Sequence, residues 1–122
     1  MKEERSMQIN DMLKLARETR KQIRKVFGER VDTITGYDYV DEPSHQTFKL
    51  DFIVYDYFTI EFDYKNDLCE FFIALTEEVK LSLTKESAAY SQISDWDKYL
   101  KGVMDEIELR IPDKFLKAKG WL

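Results

Sequence analysis

Large apolar residues alternate with polar ones through three consecutive segments between Phe48 and Ala74, and this alternation constrains the fold more than any other feature. A period of two is typical of half-buried strands, in which successive side chains point to opposite faces of a sheet. The connections are short, and Lys65-Asn66-Asp67 suits a hairpin turn because Asn and Asp tolerate left-handed backbone. Strands joined so closely must run antiparallel, so the sequence predicts a meander.

Two further segments extend this predicted sheet. Residues 31–40, VDTITGYDYV, are rich in Thr, Tyr and Val and precede the turn-forming DEPSH. Residues 76–92 are ambiguous, because VKLSLT alternates like a fifth strand while its apolar spacing also fits a helix. We favour the strand. The residues expected to face the core are Phe48, Leu50, Phe52 and Val54, then Phe58, Ile60, Phe62 and Tyr64, and finally Cys69, Phe71 and Ile73.

Amphipathic helices are predicted on both sides of the sheet in sequence. Apolar residues recur at three- and four-residue spacing from Ile9 to Phe27, and Gly28 then occupies a helix C-cap position. The same spacing returns from Trp96 onward, with Ser94 as the expected N-cap. The two helices are expected to cover the apolar face of the sheet and to leave its other face open.

The order of these elements predicts the fold class. A helix, four or five antiparallel strands and a second helix make an α+β fold with both helices packed on one sheet face. A length of 122 residues and a hydrophobic fraction of 43% are enough for one core. We therefore expect residues 1–122 to form a single domain.

The single cysteine and the N-terminal sequence indicate a compartment. Cys69 has no second cysteine with which to form an internal disulfide, which favours a reducing environment. The first residues, MKEERSMQIND, are charged and contain no apolar core of the kind that signal peptides have. No apolar run approaches the roughly 20 residues of a membrane helix. We expect a cytoplasmic protein that does not bind a membrane.

Acidic residues are concentrated in the middle of the chain. Residues 31–79 contain twelve Asp and Glu but only two lysines, within a chain whose net charge is −5. A field of this sign repels nucleic acid and attracts a basic protein surface. A basic protein partner is therefore expected, and a nucleic-acid partner is not.

The open face of the sheet is the expected contact surface, because it combines carboxylates with aromatic and aliphatic side chains. Aromatic residues supply much of the binding energy in protein interfaces, while charges steer association. The predicted partner-binding residues are Asp51, Ile53, Tyr55, Tyr57, Glu61, Asp63, Glu70 and Phe72.

Asp51 followed by Asp63-Tyr64-Lys65 resembles the signature of the PD-(D/E)xK nucleases. In that family an acid on one strand and an acid-x-Lys on the next hold Mg²⁺ and position water, so the resemblance implies a metal-dependent nuclease that uses Asp51, Asp63 and Lys65. The resemblance covers residues 51–65 only. No proline precedes Asp51, and Lys65 begins a hairpin turn, so the motif departs from the family pattern.

Other catalytic chemistry has few residues to draw on. His45 is the only histidine and Cys69 the only cysteine, so an ordinary zinc site cannot be assembled. The acidic neighbours of Cys69 would raise the pKa of its thiol and so disfavour a nucleophile. We expect no catalytic residue, no metal and no cofactor.

A compact acidic α+β domain without catalytic residues is similar, at the level of class, to bacterial immunity proteins and antitoxins. The resemblance implies stoichiometric inhibition of a basic partner such as a nuclease toxin. The alternatives are the metal-dependent nuclease and a structural or assembly subunit of a phage or mobile element. The basic outer face of the first helix could pair with an acidic sheet of a second molecule, so monomer and homodimer both stay open.

Overall fold

The computed structural model describes the backbone from Lys2 and the side chains from Asp11 to Leu122. The side chain of Ile9, the first residue of the predicted apolar stripe, lies outside this part. The helices are α1 (Lys2–Phe27), α2 (Trp96–Glu108) and α3 (Asp113–Ala118). The strands are β1 (Thr35–Glu42), β2 (His45–Val54), β3 (Phe58–Lys65), β4 (Leu68–Ala74), β5 (Lys80–Ser82) and β6 (Ala88–Ala89). The predicted α+β class is confirmed.

The sheet is an antiparallel meander in the order β1-β2-β3-β4-β5, and β6 also pairs with β4. Leu50 lies opposite Phe62, and Phe62 lies opposite Phe71, so the apolar positions of three strands coincide on one face. The ambiguous region 76–92 contains β5, because the segment after Thr76 turns back along β4.

Aromatic and aliphatic side chains of β2, β3 and β4 fill the core between the sheet and the helices. The ring centroid of Phe62 lies 4.8 Å from that of Phe71 and 5.9 Å from that of Phe48. From the helices, Phe27 of α1 packs edge-on against Phe52, and α2 adds the buried residues Leu100, Val103 and Ile107. Burial of each large apolar side chain stabilises the fold by about 1.5–3 kcal/mol. Because Phe27 of α1 and the buried residues of α2 contact the same apolar side of the sheet, both helices lie on one face, as predicted.

The hairpin between β3 and β4 has the predicted residues in the predicted conformation. Asn66 and Asp67 have φ angles of 47° and 71°, and Lys65 pairs with Leu68 across the two-residue loop. Two positive φ angles are typical of a type I′ turn, whose twist matches that of the strands. The Asp67 carboxylate also accepts hydrogen bonds from the backbone N–H and the hydroxyl of Ser91, at 2.9 and 2.6 Å.

Two helix boundaries test the predicted caps. Gly28 has a φ of +59° directly after α1, as expected for a C-cap glycine. The N-cap of α2 is Asp95, and the prediction of Ser94 is wrong by one residue: the Asp95 carboxylate accepts a hydrogen bond of 3.1 Å from the N–H of Lys98. A charged acceptor suits the positive end of the helix dipole, and this start places Leu100 on the buried face.

Strand β1 begins at Thr35 rather than at residue 31. Its register with β2 shifts between Tyr37 and Val40, and Asp38 within this bulge has a φ of 54°. An extra residue of this kind bends an edge strand and increases its twist. Strict alternation therefore does not hold along β1.

Tyr55 is fully buried, so its predicted place on the open face is wrong. Strand β2 ends at Val54, and Tyr55 and Asp56 both adopt positive φ angles in the loop to β3. This left-handed backbone directs the Tyr55 side chain inward, where its hydroxyl donates to the Glu108 carboxylate at 2.5 Å. Its ring packs edge-on against Trp121, with 5.4 Å between the ring centroids.

We predict that Tyr55→Phe lowers the free energy of unfolding by about 1–3 kcal/mol, because it removes a hydrogen bond to a carboxylate while keeping the ring. Urea denaturation measures this change. Tyr57→Phe is the matched control, since Tyr57 lies in the same loop and is 42% exposed. Equal stability of the two variants would show that the bond to Glu108 contributes nothing.

Candidate functional site

The candidate site is the open face, which we define as the side of the sheet turned away from α1 and α2. Its side chains come from five strands because alternate residues of each strand point to this side. The residues on the open face are Thr35, Tyr37, Val40, Glu42, His45, Thr47, Lys49, Asp51, Ile53, Thr59, Glu61, Asp63, Lys65, Leu68, Glu70, Phe72, Ala74, Lys80 and Ser82.

Six of the eight predicted contact residues share the open face: Asp51, Ile53, Glu61, Asp63, Glu70 and Phe72. Tyr57, like Tyr55, lies elsewhere. Its ring packs edge-on against Phe58 and against Phe115 of α3, at centroid distances of 4.8 and 4.9 Å. Tyr57 is therefore half-exposed at the end of the sheet on the helix side, and its prediction for the open face is wrong.

Lys80 lies on the edge strand β5, and its side chain reaches across β4 to bind two of the predicted carboxylates on β3. Its Nζ donates to Glu61 Oε2 and to Asp63 Oδ2, each at 2.7 Å. The same ammonium lies 4.2 Å from the centroid of the Phe72 ring, within the range of a cation–π interaction. Two carboxylates on β3 and an aromatic ring on β4 thus form a binding site for a cation.

Hydroxyl groups bind the other two carboxylates. Tyr37 donates to Asp51 Oδ1 at 2.9 Å, and its oxygen lies 3.4 Å from Glu61 Oε1. The Ser82 hydroxyl donates to Glu70 Oε2. Each of these four carboxylates therefore has a donor supplied by β1 or by β5, and the network joins all five strands.

Asp63 and Glu61 respond differently to this environment. Partial burial and the neighbouring Glu61 carboxylate raise the pKa of Asp63 to about 6, and Lys80 only partly opposes them. Burial would also raise the pKa of Glu61, but its interaction with Asp63 and its hydrogen bond from Lys80 lower it overall. Asp63 therefore takes up the first proton, consistent with its buried Oδ1, which has no hydrogen-bond partner among the described residues.

The hydrogen-bond donors of the network keep their protons. Burial alone would lower the pKa of Lys80, but its bonds to Asp63 and Glu61 raise it. Burial raises the pKa of Tyr37, and the hydrogen bond to Asp51 raises it further. Burial also raises the pKa of Asp51, although the Tyr37 bond opposes that change. At neutral pH, Tyr37 and Lys80 are therefore donors and not bases.

The open face is less acidic than the sequence of residues 31–79 indicates. Five carboxylates, including Glu42 at the end of β1, meet three lysines on it, Lys49, Lys65 and Lys80, which leaves a net charge of −2. Other acidic residues of this segment have structural contacts, such as Asp56, which pairs with Lys119 at 3.1 Å. The acid excess is thus distributed over turns and strand ends as well.

The three residues of the nuclease-like motif lie on the open face without facing one another directly. Asp51 is opposite Glu61, and Asp63 is opposite Lys49. Among the residues whose side chains are described, no group of three or more His, Cys, Asp or Glu is arranged to hold a metal ion. Cys69 is buried, and burial raises the pKa of its thiol to about 11.

Sequence reasoning did not identify Tyr37, Lys80 and Ser82 as members of the site. The alternation of VKLSLT places Lys80 and Ser82 on one side of β5, so the sequence could have shown that these two residues share a face. Which neighbours they contact depends on the register of β5 against β4, which the sequence does not state. Tyr37 precedes the bulge in β1, so only the structure places its hydroxyl beside Asp51.

No family model matches this chain, and neither a curated protein nor a solved structure is similar enough to match it. None of the helices in the described part of the chain is long and apolar enough to cross a membrane. The site is therefore interpreted from its own geometry.

We predict that Asp63→Asn gains stability relative to the unmodified protein as the pH rises. Because the pKa of Asp63 is about 6 in the folded protein and its ordinary value is 3.8, the native state binds the extra proton between these values. The stabilisation from that proton is complete below pH 4 and is lost as the pH rises through 6. Asparagine resembles the protonated acid, so its relative gain should be about 1–2 kcal/mol between pH 4 and 7.

Urea denaturation at several pH values measures this gain. Glu78→Gln is the control, since it removes one negative charge from an exposed residue outside the network. A constant difference between Asp63→Asn and the unmodified protein across this pH range would contradict the raised pKa.

Proposed function

We propose that this chain is a non-enzymatic interaction module that binds a basic surface of a partner protein through the open face. It acts as a stoichiometric inhibitor of the immunity or antitoxin type, with a basic nuclease toxin as its partner. We place the module in the cytoplasm, where the thiol of Cys69 stays reduced.

The observation that carries this proposal is the cation site formed by Glu61, Asp63 and Phe72. It holds an ammonium group at hydrogen-bond distance from two carboxylates and over an aromatic ring. Lys80 occupies this site in the free chain, so an arginine or lysine of a partner, which has the same chemistry, would displace Lys80 or bind beside it. A guanidinium has five donors and so could also satisfy the Oδ1 of Asp63, which one ammonium leaves without a partner.

Apolar groups beside the cation site supply the second part of an interface. Ile53 is 45% exposed and Leu68 is 51% exposed, and the two lie on either side of the charged cluster. An interface of standard type has such apolar groups at its centre and charged groups around them. On the open face the charged groups lie between the apolar ones, so charge complementarity would set the orientation of the partner and apolar contact would add affinity.

The test is co-expression with the product of the adjacent gene, followed by purification of the complex at low and high salt. We expect a one-to-one complex that weakens at least roughly tenfold between about 50 and 500 mM NaCl, because salt screens the charges. Asp63→Lys and Ile53→Lys should abolish it, since each places a positive charge on the open face.

Leu109→Lys is the matched control, because Leu109 is 78% exposed at the end of α2 and gains the same charge away from the open face. Tyr57→Ala should also leave binding unchanged. A complex that survives both open-face substitutions would place the partner elsewhere. The absence of any complex, together with metal-dependent nuclease activity lost in Asp63→Ala, would favour the nuclease.

A further inference from the structure

Strand β5 has a free backbone edge in the described part of the chain. The N–H of Leu75 bonds to Val79 and the N–H of Leu83 bonds to Phe71, at 2.9 and 2.8 Å, so the odd-numbered residues of this segment bond toward β4. Antiparallel strands alternate in this respect, and Lys80 and Ser82 therefore point their N–H and C=O groups away from β4. These groups can pair with another strand.

Apolar side chains lie along this edge on the helix side of the sheet. Leu81 is 42% exposed and Val79 is 53% exposed, while Leu83, next in the same row, is buried. Leu75, at the adjoining end of β4, is 56% exposed. Edge strands are usually protected by charged side chains, but the charge of Lys80 is directed to the other face and bound there.

We propose that a second copy of this chain pairs with β5, edge to edge and antiparallel, around a two-fold axis at Leu81. In this register Lys80 of one copy and Ser82 of the other exchange both of their free backbone hydrogen bonds. The two Leu81 side chains face each other in a pair that has no hydrogen bonds between its backbones, which is the closer type of pair. This contact is self-complementary and closes as a dimer.

The same register brings Val79 of the second copy to a residue that lines a cleft beside β5. Val79 of one copy lies opposite Leu83 of the other, and Leu83 lines a cleft of about 570 Å³ between the end of β5 and α2. Gly102 of α2 also lines this cleft, and a Cβ added there would meet nothing within 4 Å. A two-fold axis at Lys80 would instead oppose like charges.

Disulfide trapping of Leu81→Cys tests the register. The native Cys69 is buried, so the introduced thiol is the accessible one. Facing residues of this type of pair lie about 4.5 Å apart, which suits a disulfide. We expect the disulfide-linked dimer to form at least tenfold faster for Leu81→Cys than for Val79→Cys, although Val79 is the more exposed residue. In the proposed register the two Val79 positions lie about 13 Å apart, which is too far for a disulfide.

Adding Ser82→Pro to Leu81→Cys should slow trapping to the rate of Val79→Cys, because proline removes the outward N–H and breaks no backbone hydrogen bond to β4, although it also removes the hydroxyl that binds Glu70. The unmodified protein should dimerise weakly, with a dissociation constant of roughly 100 µM, since so few residues are buried. Sedimentation measures this. Equal trapping rates for the two cysteine variants, or a protein that stays monomeric near 1 mM, would overturn the proposal.

Discussion

The burial of one face of the β2–β3–β4 meander determines the rest of the structure. Phe48, Phe62 and Phe71 bring their rings together on that face, and no strand arrangement could leave them in water without a large loss of stability. Helices α1 and α2 are amphipathic and cover this face. Because side chains alternate along a strand, covering one face fixes which residues the other presents. The composition of the open face is thus a consequence of core packing.

The open face is held together by a balanced set of charges. Lys80 comes from a strand of three residues, and its side chain connects that strand to β3 through Glu61 and Asp63. Partly buried carboxylates without such a donor would be costly to desolvate. The pKa of Asp63 shows that the balance is incomplete, since burial and Glu61 together raise it despite the lysine. Because Lys80 only partly compensates these carboxylates, an additional positive charge would stabilise the cluster.

Most of the fold follows from the sequence because local patterns agree with one another. The period of two, the Asn66-Asp67 turn and the Gly28 cap each specify one element, and each is found. Tyr55 was misplaced because alternation carries no information about where a strand stops, and left-handed backbone after Val54 reverses the side chain. Asp95 was missed because Ser94 is an equally good cap by composition.

The candidate site was predictable only in part, for a similar reason. Alternation placed six of its residues on one face, but it could not show that Lys80 would neutralise two of them. That depends on pairing between strands distant in sequence. The charge of a segment is therefore a poor measure of the charge of a surface, because residues 31–79 contain twelve acidic residues while the open face of the same chain has a net charge of −2.

Strand β5 can contribute to the open face and to a dimer contact at the same time. The side chain of Lys80 acts on the open face, while its backbone N–H and C=O lie at the free edge, in the plane of the sheet and perpendicular to the side chains. Pairing of two β5 edges therefore leaves each cation site in place and joins two open faces into one continuous surface. A partner with repeated basic groups would then gain avidity from binding both halves, even though each half binds weakly.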